Sequence, residues 1–145
     1  MSQTRKKIIV GLIVVIILCL FWFFGRPRRV EAITDKREYP AGESLEVSVQ
    51  NNLGKTICFS SCYPYFVQKA VGKTGDWQPY KYGKCPNADI TTSCIGDKKF
   101  KEFRLLLKYA EIGTNRLMIP VCRGCAAGQE FKQDAAIYSN TFEVR

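Results

Sequence analysis

Histidine occurs nowhere in the 145 residues. Its absence removes the commonest general base, the Ser-His and Cys-His nucleophile pairs and every imidazole metal ligand. No glycine-rich phosphate loop, paired-carboxylate signature or serine elbow stands in for it. The chain is therefore read as a non-enzyme with no cofactor. Glu43, Glu46, Asp97 and Glu102 fall at turns or outward strand positions, where a carboxylate is solvated. Acid is scarce as well, with 13 Asp and Glu against 22 Lys and Arg and none before Glu31. The net charge of +9 suggests nucleic acid until its position is considered. Arg5, Lys6, Lys7, Arg26, Arg28 and Arg29 flank an apolar run, leaving 16 basic against 13 acidic residues, a balance of +3, for the rest. Near anionic lipid each flanking cation gains about 1 kcal/mol. Nucleic acid is not an expected partner.

The run is "IIVGLIVVIILCLFWFF", residues 8–24, with no charge. Seventeen helical residues rise about 26 Å, at the short end of what spans a bilayer core of about 30 Å. Trp22 suits the membrane–water interface. A cleaved signal peptide is the alternative, with "VEA" at 30–32 a passable cleavage tripeptide, but "GRPRR" stands where a neutral cleavage region belongs. Cys19 follows Leu18, not the small residue a lipoprotein signal needs, and reads as an inert lipid-facing or helix-packing residue. Six of the seven cysteines lie beyond the run, an even number that favours disulfides and an oxidising compartment. The expected organisation is a cytoplasmic N-terminus (1–7), a transmembrane signal anchor in the lipid bilayer (8–24), a basic juxtamembrane linker (25–32) and an extracytoplasmic domain (33–145).

Within the domain, short strand signals alternate with turns, the pattern of an all-β sandwich of about seven strands. "ESLEVSVQNN" places Leu45, Val47 and Val49 on one face and Glu46, Ser48 and Gln50 on the other. "TICF" and "YPYFVQKAV" follow, and "GKTGDW" bends the chain into "WQPYKYG". "KEFRLLLKY" turns Phe103, Leu105 and Leu107 inward and Arg104 outward. "NRLMIPV" offers Leu117, Ile119 and Val121, with Pro120 expected at an edge or a strand end. "AIYSNTFEV" is expected to align Tyr138, Phe142 and Val144 on one face. No helix is expected outside the membrane segment.

"TDKREYPAGESLEVSVQNN" (34–52), "YFVQK" (65–69), "GDW" (75–77) and "YSNTFEV" (138–144) resemble bacterial immunoglobulin-like domains of membrane-anchored or secreted envelope proteins. The resemblance implies an immunoglobulin-like sandwich and says little of function. Such domains often open the penultimate strand with Gly-x-Tyr-Arg; "GTNR" at 113–116 keeps Gly113 and Arg116 and has Asn115 for the tyrosine. The resemblance also implies a disulfide between Cys62 and Cys85.

The remaining cysteines admit three readings. Cys122 and Cys125 have the spacing of a thiol–disulfide oxidoreductase, but that chemistry activates a thiolate at a helix N-terminus, and this pair lies in a β-connection with only Arg123 nearby. Cys58 and Cys62 could join them as a four-thiolate zinc cage, since the two loops share one end of such a sandwich, although the compartment oxidises thiols. The third reading is structural: Cys122 and Cys125 close locally, leaving Cys58 and Cys94. Six cysteines allow 15 connectivities, and spacing does not choose among them. Tyr63, Tyr65, Trp77, Tyr80 and Tyr82 gather near one hairpin, and tyrosine and tryptophan are the usual anchors of a binding face, which makes Tyr63, Tyr65, Tyr80 and Tyr82 its candidates; the plainer reading is that the tyrosines stack along a sheet while Trp77 packs in the core. The functional expectation is a membrane-anchored envelope protein serving interaction or structural roles, its partner another envelope or extracellular protein. Thiol–disulfide oxidoreductase and, by analogy of fold class, inhibitor of extracellular proteases are the alternatives.

Overall fold

The computed structural model describes residues 11–20, 29–72, 75–79, 85, 87–107 and 110–145. These residues are mostly β. Eleven strands run in the order β1 (Val30–Thr34), β2 (Glu38–Tyr39), β3 (Ser44–Asn51), β4 (Ile57–Ser60), β5 (Phe66–Val71), β6 (Asp76–Pro79), β7 (Thr91–Ile95), β8 (Phe100–Leu106), β9 (Gly113–Arg123), β10 (Ala135–Tyr138) and β11 (Phe142–Val144). One sheet has the order β1-β3-β8. The other runs β2-β11-β9-β4-β7, with β10 and β5 also on β9 and β6 on β5.

Strict alternation builds the first sheet. Leu45, Val47 and Val49 are buried, as is Leu105 on β8, which lies directly opposite Leu45. The second sheet contributes Ile57, Phe59, Val67, Leu117, Ile119, Val121, Phe142 and Val144 to the same apolar cluster. One core therefore joins both sheets. Phe59 meets Phe103 edge-on across it, with ring centroids 5.0 Å apart.

Three features depart from the expectations. The first strand begins at Val30, inside the stretch read as linker, because Ala32 and Thr34 bury their side chains as β1 pairs with β3. Pro120 is buried inside β9, which has neighbours on both sides. It falls where β9 changes partner, β5 ending at Met118 and β4 beginning at Val121, so its missing N–H interrupts no run of the ladder there. Third, Tyr138 does not share a face with Phe142 and Val144. β10 pairs Tyr138 with Met118, while β11 pairs Phe142 with Asn115, a register offset of one residue. A one-residue offset turns side chains to the opposite face. Tyr138 is accordingly 48 % exposed and Phe142 1 %.

The membrane-spanning helix expected over 8–24 is not shown. Residues 11–20 are helical, and among the described residues no helix is long and apolar enough to cross a membrane. Positions 1–10 and 21–28, which include the rest of that expected span, lie outside the described residues.

The short β2 strand is pinned by Tyr39, whose ring meets Phe142 edge-on at 5.5 Å. Its hydroxyl donates to Asp35 Oδ1 at 2.7 Å and accepts from the Lys36 N–H at 2.9 Å. Burial first, and then the bond to Asp35, pushes the Tyr39 phenol up to about 12. Burial also pushes the Asp35 carboxyl up, but the hydrogen bonds it accepts from Tyr39 and the Glu46 N–H outweigh this and hold it below its ordinary value. A phenol raised by folding stabilises the fold below its unfolded value and loses that contribution as pH climbs through the folded one. Tyr39→Phe is therefore expected to cost about 1–2 kcal/mol at neutral pH. The gap from wild type should narrow between pH 10 and about 12. Denaturant midpoints of both proteins across that range check it; a constant gap contradicts it.

Candidate functional site

Two surfaces on the second sheet carry the chemistry. The first is the cysteine end. Ile57 and Phe59 point into the core, so Cys58 between them faces outward, beneath other chain. Its directly opposite residues are Cys94 on β7 and Cys122 on β9, which places three cysteines in one row across three strands. Cys58 is bonded to Cys94, Cys122 to Cys125 and Cys62 to Cys85; Cys19 is the one free cysteine among the described residues.

The turn after Cys122 is held on both flanks. Gly124, with φ 78°, donates its N–H to Thr56 O at 2.7 Å. Gly128 N–H donates to Thr91 O at 2.8 Å, and Thr91 N–H donates to Gln129 O at 2.7 Å. The Thr91 hydroxyl lies 2.7 Å from the Ala126 and Gln129 carbonyls. Arg123, the cation nearest the pair, is engaged by Asp134 at 3.2 Å. Cys122 itself is 5 % exposed. Thiolate activation needs a positive helix end or a free cation beside an accessible sulfur, and the described residues provide neither here.

A second bend, residues 60–63, is organised by Asp89. Its carboxylate lies 2.7 and 2.8 Å from Ser60 Oγ and accepts from the Ser61 N–H at 3.1 Å. Ser60 Oγ accepts from the Tyr63 N–H at 2.7 Å. The Tyr63 hydroxyl accepts from the Cys85 N–H at 2.9 Å, and its ring stacks on Phe66 at 5.5 Å. Tyr65 packs against the core. Tyr63 and Tyr65 thus brace this bend and the core, while Tyr80 and Tyr82 lie outside the described residues. Among the described residues no group of three or more Cys, Asp or Glu is placed to hold a metal ion.

The second surface shares Trp77 with the expected aromatic face and adds Arg116 and Tyr138 from outside it. Arg116, on β9, places its guanidinium 4.0 Å from the Trp77 ring centroid and 4.2 Å from that of Tyr138. Its Nε donates to Gln68 Oε1 at 2.8 Å. Trp77 is therefore not a core residue: on β6 it sits half-buried over the outer face, where the register opposes it to Ala70 of β5. A cation flanked by two aromatic faces is attracted to both and held in one orientation. Beside it, Asn115 is fully buried, and its Nδ2 donates to Glu111 O at 2.9 Å and Gly113 O at 2.7 Å. The amide fixes the entry to β9 and so the strand that presents Arg116. The signal for this site was Arg116 itself, whose outward position follows from buried Leu117 and Asn115 on either side.

No protein-family model and no curated protein sequence matches the chain. Solved structures with a similar course include an alkylpurine DNA glycosylase of Pseudomonas fluorescens, at 10 % identity and TM-score 0.40, covering 83 % of this chain and 32 % of that one. The sporulation control protein Spo0M of Bacillus subtilis matches at 15 % identity and TM-score 0.40, over 80 % of this chain and 48 % of its own. A PapD-like domain of human CEP192 matches at 14 % identity and TM-score 0.32, over 81 % and 82 %. The chain spans about a third of the glycosylase and about half of Spo0M.

Proposed function

We propose that this is a non-enzymatic, membrane-anchored envelope protein, whose disulfide-stapled immunoglobulin-like domain acts outside the membrane as an interaction module. The observation that carries the reading is the Trp77–Arg116–Tyr138 stack on an outer sheet face. Tryptophan, tyrosine and arginine are the residue types that dominate binding energy at protein interfaces. Here they are pre-ordered, which lowers the entropy lost on binding. The compartment is argued from the cysteines: all six beyond the apolar run are bonded in pairs. A retained anchor is favoured by β1, because cleavage after Ala32 would remove three of its five residues. The immunoglobulin-like assignment draws on the three-stranded sheet facing a larger one and on β2 running parallel to the last strand.

The test is site-specific photo-crosslinking in living cells. A photoreactive residue at Ala136, two residues before Tyr138 on the same face of β10, should give a discrete crosslinked protein species, and one at Ile33, exposed on β1 of the other sheet, should not. Arg116→Ala should abolish the Ala136 product while costing the fold about 1–2 kcal/mol for the lost ring contacts and hydrogen bond, which leaves it folded. Equal labelling from both positions, or a product unaffected by Arg116→Ala, contradicts the assignment.

A further inference from the structure

β8 lies at the end of the β1-β3-β8 sheet, and among the described residues no strand pairs along its other edge. That edge carries no proline or bulge and presents Phe100 and Leu106, 65 % and 59 % exposed. Such an edge is a template for another strand. The hydrogen-bond parity says which groups it offers. Leu107 N–H donates to Glu43 O, and Asn51 N–H donates to Lys99 O, so the odd-numbered residues of β8 bond to β3. In an antiparallel ladder the bonding groups alternate. The N–H and C=O groups of Phe100, Glu102, Arg104 and Leu106 therefore point to the open edge.

We propose that this edge pairs antiparallel with β8 of a second copy of the chain, about a two-fold axis at Phe103. That register keeps parity: Glu102 comes opposite Arg104 of the second copy, and Phe100 opposite its Leu106. Two-fold symmetry repeats each pairing, and the two three-stranded sheets merge into one of six. Opposite charges and facing apolar side chains both favour cross-strand pairing. Moving the axis to Glu102 or Arg104 keeps parity but sets like charges face to face, which disfavours those registers. Arg104 forms one long, exposed ion pair, its Nε 4.0 Å from Glu46 on the neighbouring strand, and its side chain is 74 % exposed, which leaves the guanidinium's other donors to a second carboxylate. Glu102 has no ion-pair partner among the described residues.

Sedimentation equilibrium of the full-length chain in detergent tests the proposal. Wild type should be a dimer. Glu102→Arg, which sets arginine against arginine twice, should raise the dissociation constant about tenfold or more. The swap Glu102→Arg with Arg104→Glu restores both opposite pairs and should return the constant to within about threefold of wild type. Amide exchange read by NMR is independent of the variants: dimerisation should slow Phe100, Glu102, Arg104 and Leu106 selectively, because Lys101, Phe103 and Leu105 are already bonded to β3. A wild-type monomer, a dimer indifferent to Glu102→Arg, or protection without this alternation overturns the proposal.

Discussion

Replacing Cys58 and Cys94 together by alanine is expected to remove about 4 kcal/mol of stability. The bond closes a loop with a sequence separation of 36, and in the chain-entropy model such a closure removes about that much freedom from the unfolded chain. A domain of this size holds about 5–15 kcal/mol in all, so the variant should remain folded when cold and melt roughly 15 °C lower. The position adds to the effect, because Cys58 is fully buried and joins β7 to the sheet at its outermost strand. The three staples should rank by loop length. Removing Cys62–Cys85, separation 23, should cost about 3 kcal/mol, and removing Cys122–Cys125, separation 3, about 1.5 kcal/mol. Urea midpoints of the three double variants decide the order. Equal losses, or the largest loss at Cys122–Cys125, would contradict the assignment of that pair as a local brace.

Phe142→Ala is expected to cost about 4 kcal/mol and Tyr138→Ala less than about 1 kcal/mol. Phe142 is buried at 1 % and lies edge-on to Tyr39, so truncation leaves a cavity and strips β2 of its packing partner. Tyr138 is half exposed and loses only its contact with Arg116. The pair of measurements tests the register offset directly, since a continuous strand would bury both rings and make both substitutions expensive. Similar losses for the two variants would show β10 and β11 to be one uninterrupted strand.

What could be read in the chain beforehand follows from how local each signal is. β3 alternates over its whole length, so its buried set Leu45–Val47–Val49 was legible from period alone, as were Leu105 near the end of β8 and Leu107 just beyond it; the outward, apolar Phe100 and Leu106 were not. β9 was legible in its apolar residues and misjudged at Pro120, because a proline's cost depends on which partner strand faces its nitrogen. β2 is two residues long and owes its existence to a parallel pairing with β11 at the far end of the chain. β7, "TTSCI", shows no apolar alternation, and its Thr91 is buried against the carbonyls of a loop from another part of the sequence. The register offset that turned Tyr138 outward is a property of β9 as a template, invisible within "AIYSNTFEV" itself. The same holds for the Arg116 stack: Trp77, Arg116 and Tyr138 sit on three different strands, and only the sheet brings them together. Asn115 fills the place where the resembled domains have tyrosine, and an amide short enough to reach Glu111 O and Gly113 O ties down the entry to β9 there.

The central claim is that the cysteines are staples of a domain folded in an oxidising compartment, and an alkylated intact mass tests it most directly. The full-length protein is extracted from cells into denaturant containing an alkylating reagent, without reductant, and weighed before and after reduction and a second alkylation. One adduct before reduction, on Cys19, and seven after it are expected, with no zinc in the native protein. Three or more adducts before reduction, or one zinc per native chain, would contradict the account.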